Sequence, residues 1–327
     1  MANKTLTGAR KAKDDEFYTR FDDINLELQH YTDQFKDKVI YCNCDDGQWS
    51  NFWKFFYVNF EAFELKKLIA TSYHDGISHT EDPEDQAYEY IYEGGYGKTD
   101  YVANNYMEGV TRIKLEQKGD FRSEECIKLL EEADIVVTNP PFSLFREFVA
   151  TLEKYNKQYI IIGNKNALTY KEIFPLIKDN KLWLGYTSPK EFDQPDGHTK
   201  KQMAGLTRWF TNVDIDKRHH ILECYSRYDT AKYPKYDNYD AIECGEVKDI
   251  PCDYTGVIGV PITWLDKFSP NQFEIVGAYN YTLDNKGKAW NAKINGEYVY
   301  KRILIRWKTE AMPTIDEDGV ICYHKGE

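Results

Sequence analysis

Residues 133–148 read ADIVVTNPPFSLFREF, and the four at the centre, Asn139-Pro140-Pro141-Phe142, place two acceptors and a ring on one stiff loop. The side-chain oxygen of Asn139 and the main-chain carbonyl of Pro140 can each accept an N–H. The prolines fix φ and remove backbone donors, so that carbonyl is held in place. Phe142 adds a flat apolar face. An exocyclic amino group on a nucleobase is a poor nucleophile, because its lone pair is delocalised into the ring. Two acceptors on its N–H bonds return electron density to the nitrogen while Phe142 stacks on the base. A nitrogen so held can attack a sulfonium methyl in line, with catalysis supplied by positioning and charge stabilisation. The competing reading is a rigid turn without chemistry.

The flanking residues place this loop. Ile135, Val136 and Val137 form the apolar run of a strand buried on both faces. The prolines end it, and Ser143 stands as a helix cap before Leu144, Phe145, Phe148 and Val149 at helical spacing. The quartet therefore sits at the carboxyl end of a strand, where open α/β sheets bind ligands. Upstream, a helix is expected from Asp22 to Phe35, with Ile24, Leu28 and Tyr31 on one face. Strands follow at 38–44, 65–73 and 110–121, then helix 123–133, and beyond the loop strand 158–163. The segments LWLGYT and TRWFTNV, with DQPDG between them, predict an antiparallel edge hairpin. The fold class is α/β: a Rossmann-like, doubly wound, mostly parallel sheet. The acidic, glycine-bearing stretch 74–98 is expected as an exposed excursion, and residues 1–15 as a mobile basic arm. Beyond Val213 come short strands, turns and many Tyr and Asn residues, which sets domain limits at 1–213 and 214–327, the second a smaller α+β domain.

At 327 residues the chain has room for one large domain and a smaller partner. Its 26 tyrosines and 7 tryptophans fit either a surface that stacks on something flat or an aromatic-rich core. A net charge of −12 argues mildly against nucleic acid as a partner, but the charge is polarised. Seven acids and no base lie between Asp75 and Glu93, whereas seven bases face Glu297 alone between Asn285 and Lys308. Seven cysteines without a CxxC pair, no signal peptide and no spanning apolar run indicate a reduced cytoplasmic protein. No metal-ligand spacing is present, and the chemistry above needs no metal.

The tetrapeptide resembles the catalytic loop of S-adenosylmethionine-dependent amino-methyltransferases, with Asn139, Pro140, Pro141 and Phe142 as the catalytic group. Other segments match in order. DEFYTR resembles the element that meets the methionine end of the cofactor, implying Glu16, Phe17, Tyr18 and Thr19 as contacts. VIYCNCDD stands where the first strand and its loop belong, implying Cys44, Asp45 and Asp46 beside the cofactor's ribose or amino group. KGDF resembles the element at the cofactor adenine, with Asp120 accepting its amino group and Phe121 stacking. With YDNYDAIE and GVPITWLDKFSPNQFEIVG added, nearly the whole chain is similar to the EcoRI-type adenine-specific DNA methyltransferases. This chain departs from the superfamily's glycine-rich fingerprint, having only Gly47 after the first strand. It also lacks the acid at the end of the second strand, where Ser72 and Tyr73 stand and Asp75 follows.

The resemblance implies methyl transfer to the N6 amino group of an adenine flipped out of double-stranded DNA, by a monomer with no obligatory protein partner. Residues 214–327 would then read the sequence, with Tyr236, Asp237, Asn238 and Tyr239 as candidates. In EYVYKRILIRWK, one strand face carries Tyr298, Tyr300, Arg302, Leu304, Arg306 and Lys308, which suits either a DNA backbone or an ordinary solvated face. Arg10, Lys11 and Lys13 of the N-terminal arm are further DNA candidates. Pro251-Cys252 has the composition of a cytosine-methylating nucleophile, but a small packed cysteine is the better reading so far from the parallel sheet. Two rivals remain: an amino-methyltransferase for ribosomal RNA or protein glutamine, and a DNA-binding protein that has lost catalysis.

Overall fold

The computed structural model describes residues 18–74, 86–95, 106–193 and 200–323. They form two compact units. The first comprises the described residues up to Ala167 together with Leu184–Val213, and the second comprises Leu168–Trp183 and the described residues from Asp214 onward. Segment 168–183 thus groups with the later part of the chain and not with its sequence neighbours.

In the first unit the strands are β1 (Tyr18–Thr19), β2 (Val39–Asn43), β3 (Lys67–Thr71), β4 (Tyr88–Tyr92), β5 (Thr111–Lys114), β6 (Ile135–Thr138), β7 (Gln158–Asn164), β8 (Trp183–Leu184), β9 (Glu191–Asp193), β10 (Lys200–Gln202) and β11 (Thr207–Thr211). Eight of them make one sheet in the order β5-β4-β3-β2-β6-β7-β11-β8, while β1, β9 and β10 make a separate small sheet. The middle four, β3, β2, β6 and β7, pair in parallel. Strands β4 and β5 on one side and β11 on the other are antiparallel. The sheet is therefore mixed, not mostly parallel. Strands β8 and β11 do lie at one edge, but DQPDG falls between β9 and β10, outside that sheet. The expected excursion at 74–98 also needs correction. Its residues 88–92 form β4, where Tyr90 and Tyr92 alternate into the core, while residues 75–85 and 96–98 lie outside the described residues.

Four helices matter for the site. Helix α1 (Phe21–Leu28) buries Ile24 and Leu28 and continues through a 3₁₀ turn that buries Tyr31 into a last helical turn at Thr32–Phe35, so that the expected helix is covered to its end. Helix α2 (Asn51–Val58) starts at Ser50, whose hydroxyl accepts from the N–H groups of Phe52 and Trp53. Helix α3 (Glu124–Glu132) is capped by Ser123, carries Glu124 and Glu125 in its first turn, and buries Cys126 and Leu130 one turn apart. Helix α4 (Phe145–Lys154) buries Phe145, Phe148, Val149 and Leu152. Ser143 does not cap it. A 3₁₀ turn at Phe142–Leu144 comes first, so the cap position falls on Leu144, which has no side-chain acceptor.

The aromatic richness is spent mostly inside: Trp53, Trp209, Trp264 and Trp290 are fully buried, as are Phe52, Phe55 and Phe56. One charge is also interior. Glu27 of α1 is fully buried, and its carboxylate accepts from the hydroxyls of Tyr31 (2.9 Å) and Thr187 (2.7 Å) and from the N–H groups of Tyr186 (2.8 Å) and Thr187 (2.6 Å). Gly185 lets the chain pass, since a Cβ there would stand 2.1 Å from Glu27 Oε1. The clamp fixes the segment that leads from β8 to β9, and β9 pairs with β1.

The second unit is built on a four-stranded sheet, β12 (Ile242–Glu243), β13 (Ile258–Pro261), β17 (Arg302–Trp307) and β14 (Phe273–Ala278), in that order. A hairpin of β15 (Lys293–Ile294) and β16 (Glu297–Tyr298) stands beside a cluster of Tyr236, Ala241, Trp290, Ala292 and Leu304. Among the described residues no helix is long and apolar enough to cross a membrane.

Glu27→Ala should leave two main-chain N–H groups buried without their acceptor, a loss of about 3 kcal/mol. That lowers the thermal midpoint by roughly 5–10 °C. An unchanged melting curve would show that the clamp contributes nothing to the fold.

Candidate active site

Strands β2 and β6 are neighbours, yet β2 continues through α2 to β3 on one side and β6 through α4 to β7 on the other. Such a switch point opens a crevice at the carboxyl ends of the two strands. A cavity of about 360 Å³ lies there, within the size range of small-molecule sites. The β2 loop contributes Cys44, Asp45 and Asp46, and the β6 loop contributes Asn139 and Pro141.

The β2 loop is folded around its acids. Cys44, at φ 69°, turns the chain out of the strand in the left-handed region. Asp45 then accepts from the hydroxyls of Ser50 and Thr138, both at 2.6 Å. Thr138 is the last residue of β6 and also meets the carbonyl of Asn43, so one carboxylate joins the end of β2, the cap of α2 and the residue before Asn139. Enclosure pushes the Asp45 carboxyl up to about 7, against the lowering effect of its two hydroxyl donors. Asp46 is raised too, chiefly by burial, although it accepts from Gln48 N at 2.7 Å and from the Tyr90 hydroxyl at 3.3 Å. The Tyr90 ring crosses directly over Gly47, where a Cβ would stand 2.6 Å from it, so the loop's lone glycine answers a packing need.

Lys118-Gly119-Asp120-Phe121 forms another wall. Gly119 has φ +67° and its missing Cβ would fall 1.9 Å from the Ser72 carbonyl, so only glycine fits. Phe121 is buried against Phe148 of α4, with ring centroids 5.1 Å apart, and lines the cavity. Asp120 is gripped by Arg122, whose Nη2 and Nε lie 2.6 and 2.8 Å from its two oxygens. Those hydrogen bonds hold the Asp120 carboxyl below the ordinary range. Arg122 reaches Glu147 at 3.2 Å with its remaining nitrogen.

The cavity therefore unites Tyr18, Thr19, Cys44, Asp45, Asp46, Asp120, Phe121, Asn139 and Pro141 of the expected residues. Pro140 and Phe142 are not part of its wall; Ser143 and Leu144 are. Glu16, Phe17, Arg10, Lys11 and Lys13 lie outside the described residues. Five contributors were not read from the sequence: Trp49, 68% exposed at the rim, Ser50, Asn51, Phe52 and Arg122. An indole in a polar loop was the one available signal for Trp49. Arg122 is two residues from Asp120, a local contact that was available to be read, whereas its second partner, Glu147, is distant in sequence and gave no signal.

The expected DNA-reading residues need correction. Tyr236 is buried against Trp290, and its hydroxyl donates to Glu243. Asn238 donates its amide to the Asn291 carbonyl at 3.0 Å, and its Oδ1 is buried. Asp237 accepts main-chain N–H groups and Tyr239 packs on Trp290. Arg302 is sealed in a bidentate pair with Glu243, each side chain 11% exposed. Arg306 pairs with Glu274 across β14 and β17 at 3.1 Å, and Lys308 is half-buried. Leu304, on the same face, belongs to the Tyr236–Trp290 cluster, so that strand face is partly interior. Tyr300 is 74% exposed, as a contact residue requires. Cys252 is fully buried and its thiol is raised by burial, the reverse of an activated nucleophile. Among the described residues no group of His, Cys, Asp and Glu is arranged to hold a metal.

A switch-point cavity with carboxylates on the loop after β2 and Asn139 and Pro141 on the loop after β6 defines an enzyme of the amino-methyltransferase class. Comparison with known proteins makes this specific. The model of the family described as adenine-specific methyltransferase EcoRI matches residues 5–308, and the chain belongs to that family. It is 44% identical to the type II methyltransferase M.EcoRI of Escherichia coli, over 94% of this chain and 97% of that one. It is 39% identical to the type II methyltransferase M.MpnI of Mycoplasma pneumoniae, over 91% and 96% of the two chains. It is 38% identical to M.MgeORF184P of Mycoplasma genitalium, over 91% and 97%. No solved structure matches the chain.

The Asp45 carboxyl titrates near 7 in the folded protein against an ordinary 3.8. The folded state thus keeps a proton that the unfolded chain releases. The stability this contributes is full below about pH 4 and is lost as pH rises through about 7. Asp45→Asn should remove that loss. The midpoint of the variant relative to the parent, both without ligand, should shift in the variant's favour between pH 5 and pH 8; a constant difference would contradict the assignment.

Proposed function

We propose that this adenine-specific methyltransferase transfers the methyl group of S-adenosylmethionine to the N6 amino group of an adenine flipped out of a specific sequence in duplex DNA. The observation that carries this reading is the single cavity shared by the carboxylate loop after β2 and the Asn139 loop after β6. The relatives' naming as type II methyltransferases supports DNA as the substrate.

The lining fits the cofactor. Asp45, Asp46 and Asp120 are acceptors in a cavity whose ligand would present an ammonium, a ribose diol and an adenine amino group. Thr19 Oγ1 is buried without a hydrogen-bond partner among the described residues, beside Tyr18 at the same wall. Tyr18 and Thr19, with Glu16 and Phe17, would hold the methionine end, and Cys44, Asp45 and Asp46 the ribose or amino group. Asp120, kept ionised by Arg122, still has lone pairs for an adenine amino group, and Phe121 supplies the ring face. When bound, the cofactor supplies a methyl on a positively charged sulfur.

On the acceptor side, Asn139 Oδ1 and the Pro140 carbonyl take the two N–H bonds of the target amino group and raise its nucleophilicity. Phe142 stacks on the target ring. A base within a duplex cannot enter a recessed site, so the target must leave the stack. The test is incubation with methyl-labelled cofactor and, separately, duplex DNA, ribosomal RNA and protein, followed by methylation-sensitive sequencing of the DNA. N6-methyladenine at one sequence is expected. Label in RNA or protein would select the rival enzyme class, and cofactor binding without turnover would select the silent DNA-binding protein.

Asn139→Ala should lower methyl transfer by about 100-fold or more with cofactor affinity retained, since it removes an acceptor at the reacting nitrogen. Near-parental turnover would refute that role. Asp120→Ala should instead weaken the cofactor by roughly ten- to a hundred-fold in calorimetry, the worth of one charge-assisted hydrogen bond. Unchanged affinity would leave the turn a structural element only.

A further inference from the structure

The cations from Lys286 to Arg306 fall into two groups. Arg302 and Arg306 are neutralised by Glu243 and Glu274. Lys286, Lys288, Lys293 and Lys301 form no ion pair among the described residues. In a chain of net charge −12, four such lysines within sixteen positions are a local reversal of sign.

Three of these lysines stand on two turns that one short segment ties together, and Lys301 follows the second turn directly before β17. The first turn is closed by Asp284, which accepts from Lys286 N and Lys288 N at 2.9 and 2.8 Å below the Leu283–Ala289 bridge. Its Asn285 N donates to the Asn238 carbonyl. The second turn is the β15–β16 hairpin, in which Lys293 pairs with Tyr298 and stands 5.3 Å from its ring centroid. The carboxylate of Asp237 accepts from Asn295 N and Gly296 N at 3.0 and 2.7 Å and holds the tip. Asp237 N donates to the Lys293 carbonyl, and the Asn238 amide to that of Asn291. Asp237 and Asn238, set aside above as base readers, are thus the brace for both turns. Of the nearby acids, Asp237 and Asp284 are held by main-chain N–H groups and keep their charge, and with Glu297 they face the four lysines, a small positive excess in an acidic chain. Tyr298 and Tyr300 are 69% and 74% exposed on the same stretch.

We propose that these two turns are where the second unit grips the phosphate backbone of duplex DNA, with Lys286, Lys288, Lys293 and Lys301 on phosphates and Asp237 and Asn238 as positioning residues. The inference rests on the DNA-methylating reading and adds the surface that serves it. Ammonium groups on flexible stems suit the regularly spaced charges of a duplex, and exposed tyrosines beside them suit sugar and groove contacts.

The test is fluorescence anisotropy with cognate and scrambled duplexes between 50 and 300 mM salt, using the parent, K286Q/K288Q/K293Q/K301Q, Arg306→Gln and Asp237→Ala. The quadruple variant should bind both duplexes at least about tenfold more weakly. Its plot of log affinity against log salt should be shallower by about 3.6 units, at roughly 0.9 for each of four lost phosphate contacts. Its cofactor affinity in calorimetry should be unchanged, and Arg306→Gln should keep the parental slope. Asp237→Ala deletes a negative charge, so charge alone would tighten binding; loss of the brace should instead weaken it by roughly threefold or more. A parental slope in the quadruple variant overturns the surface, and tighter binding by Asp237→Ala overturns the brace. A parent that binds no duplex would overturn the functional reading itself, which separates that failure from the other two.

Discussion

The carboxylate of Asp45 is the constraint on which the site depends. Enclosed at the switch point, it must find hydrogen-bond donors or carry an uncompensated charge. It finds them in Ser50, which starts α2, and Thr138, which ends β6. Satisfying one acid therefore fixes the β2 loop, the helix that follows and the residue before Asn139. Adjacent strands lie about 4.8 Å apart, so the acidic wall and the Asn139 loop are held at a separation set by the sheet itself. Loops at such positions otherwise move easily, and here a few short hydrogen bonds between them supply the stiffness that positional catalysis requires.

The antiparallel additions to the sheet serve the same place. β4 brings the Tyr90 hydroxyl to Asp46 and its ring over Gly47. β1, paired to β9, brings Tyr18 and Thr19 to the cavity, and β9 is held through the segment that Glu27 clamps. Two buried carboxylates thus act at different distances from the chemistry. Asp45 organises the floor, and Glu27 secures an element that carries one wall.

Charge is allocated in the same economical way. The first unit gathers Asp45, Asp46 and Asp120 around one cavity. In the second, the guanidinium of Arg302 is consumed by a buried pair, whose partner Glu243 also receives the Tyr236 hydroxyl. An arginine's planar fork suits such a fixed bidentate role, while lysines such as the exposed Lys286 and Lys288 suit a mobile, solvated one. Counting bases along the chain cannot separate these uses.

Local chemistry determined much by itself. The apolar run of β6, the prolines that end it and the helical spacing after it fixed the Asn139 loop at a strand's carboxyl end, because strand burial and proline geometry are set within a few residues. The serine caps and buried faces of α2 and α3 are equally local. Pairing direction is not: β4 and β11 are antiparallel because of partners far away in sequence, so the mixed sheet was not legible. Nor was the fate of Arg302, Tyr236 or Asn238, since alternation along a strand says which side a residue takes but not whether another element covers that side. The tie of Arg122 to Glu147, on a separate element, was hidden for the same reason. The sequence by itself determined which groups the site contains and on which loops they sit, since those follow from covalent neighbours. Only the tertiary structure decided which charges remain available, because burial and ion pairing depend on contacts that no local pattern encodes.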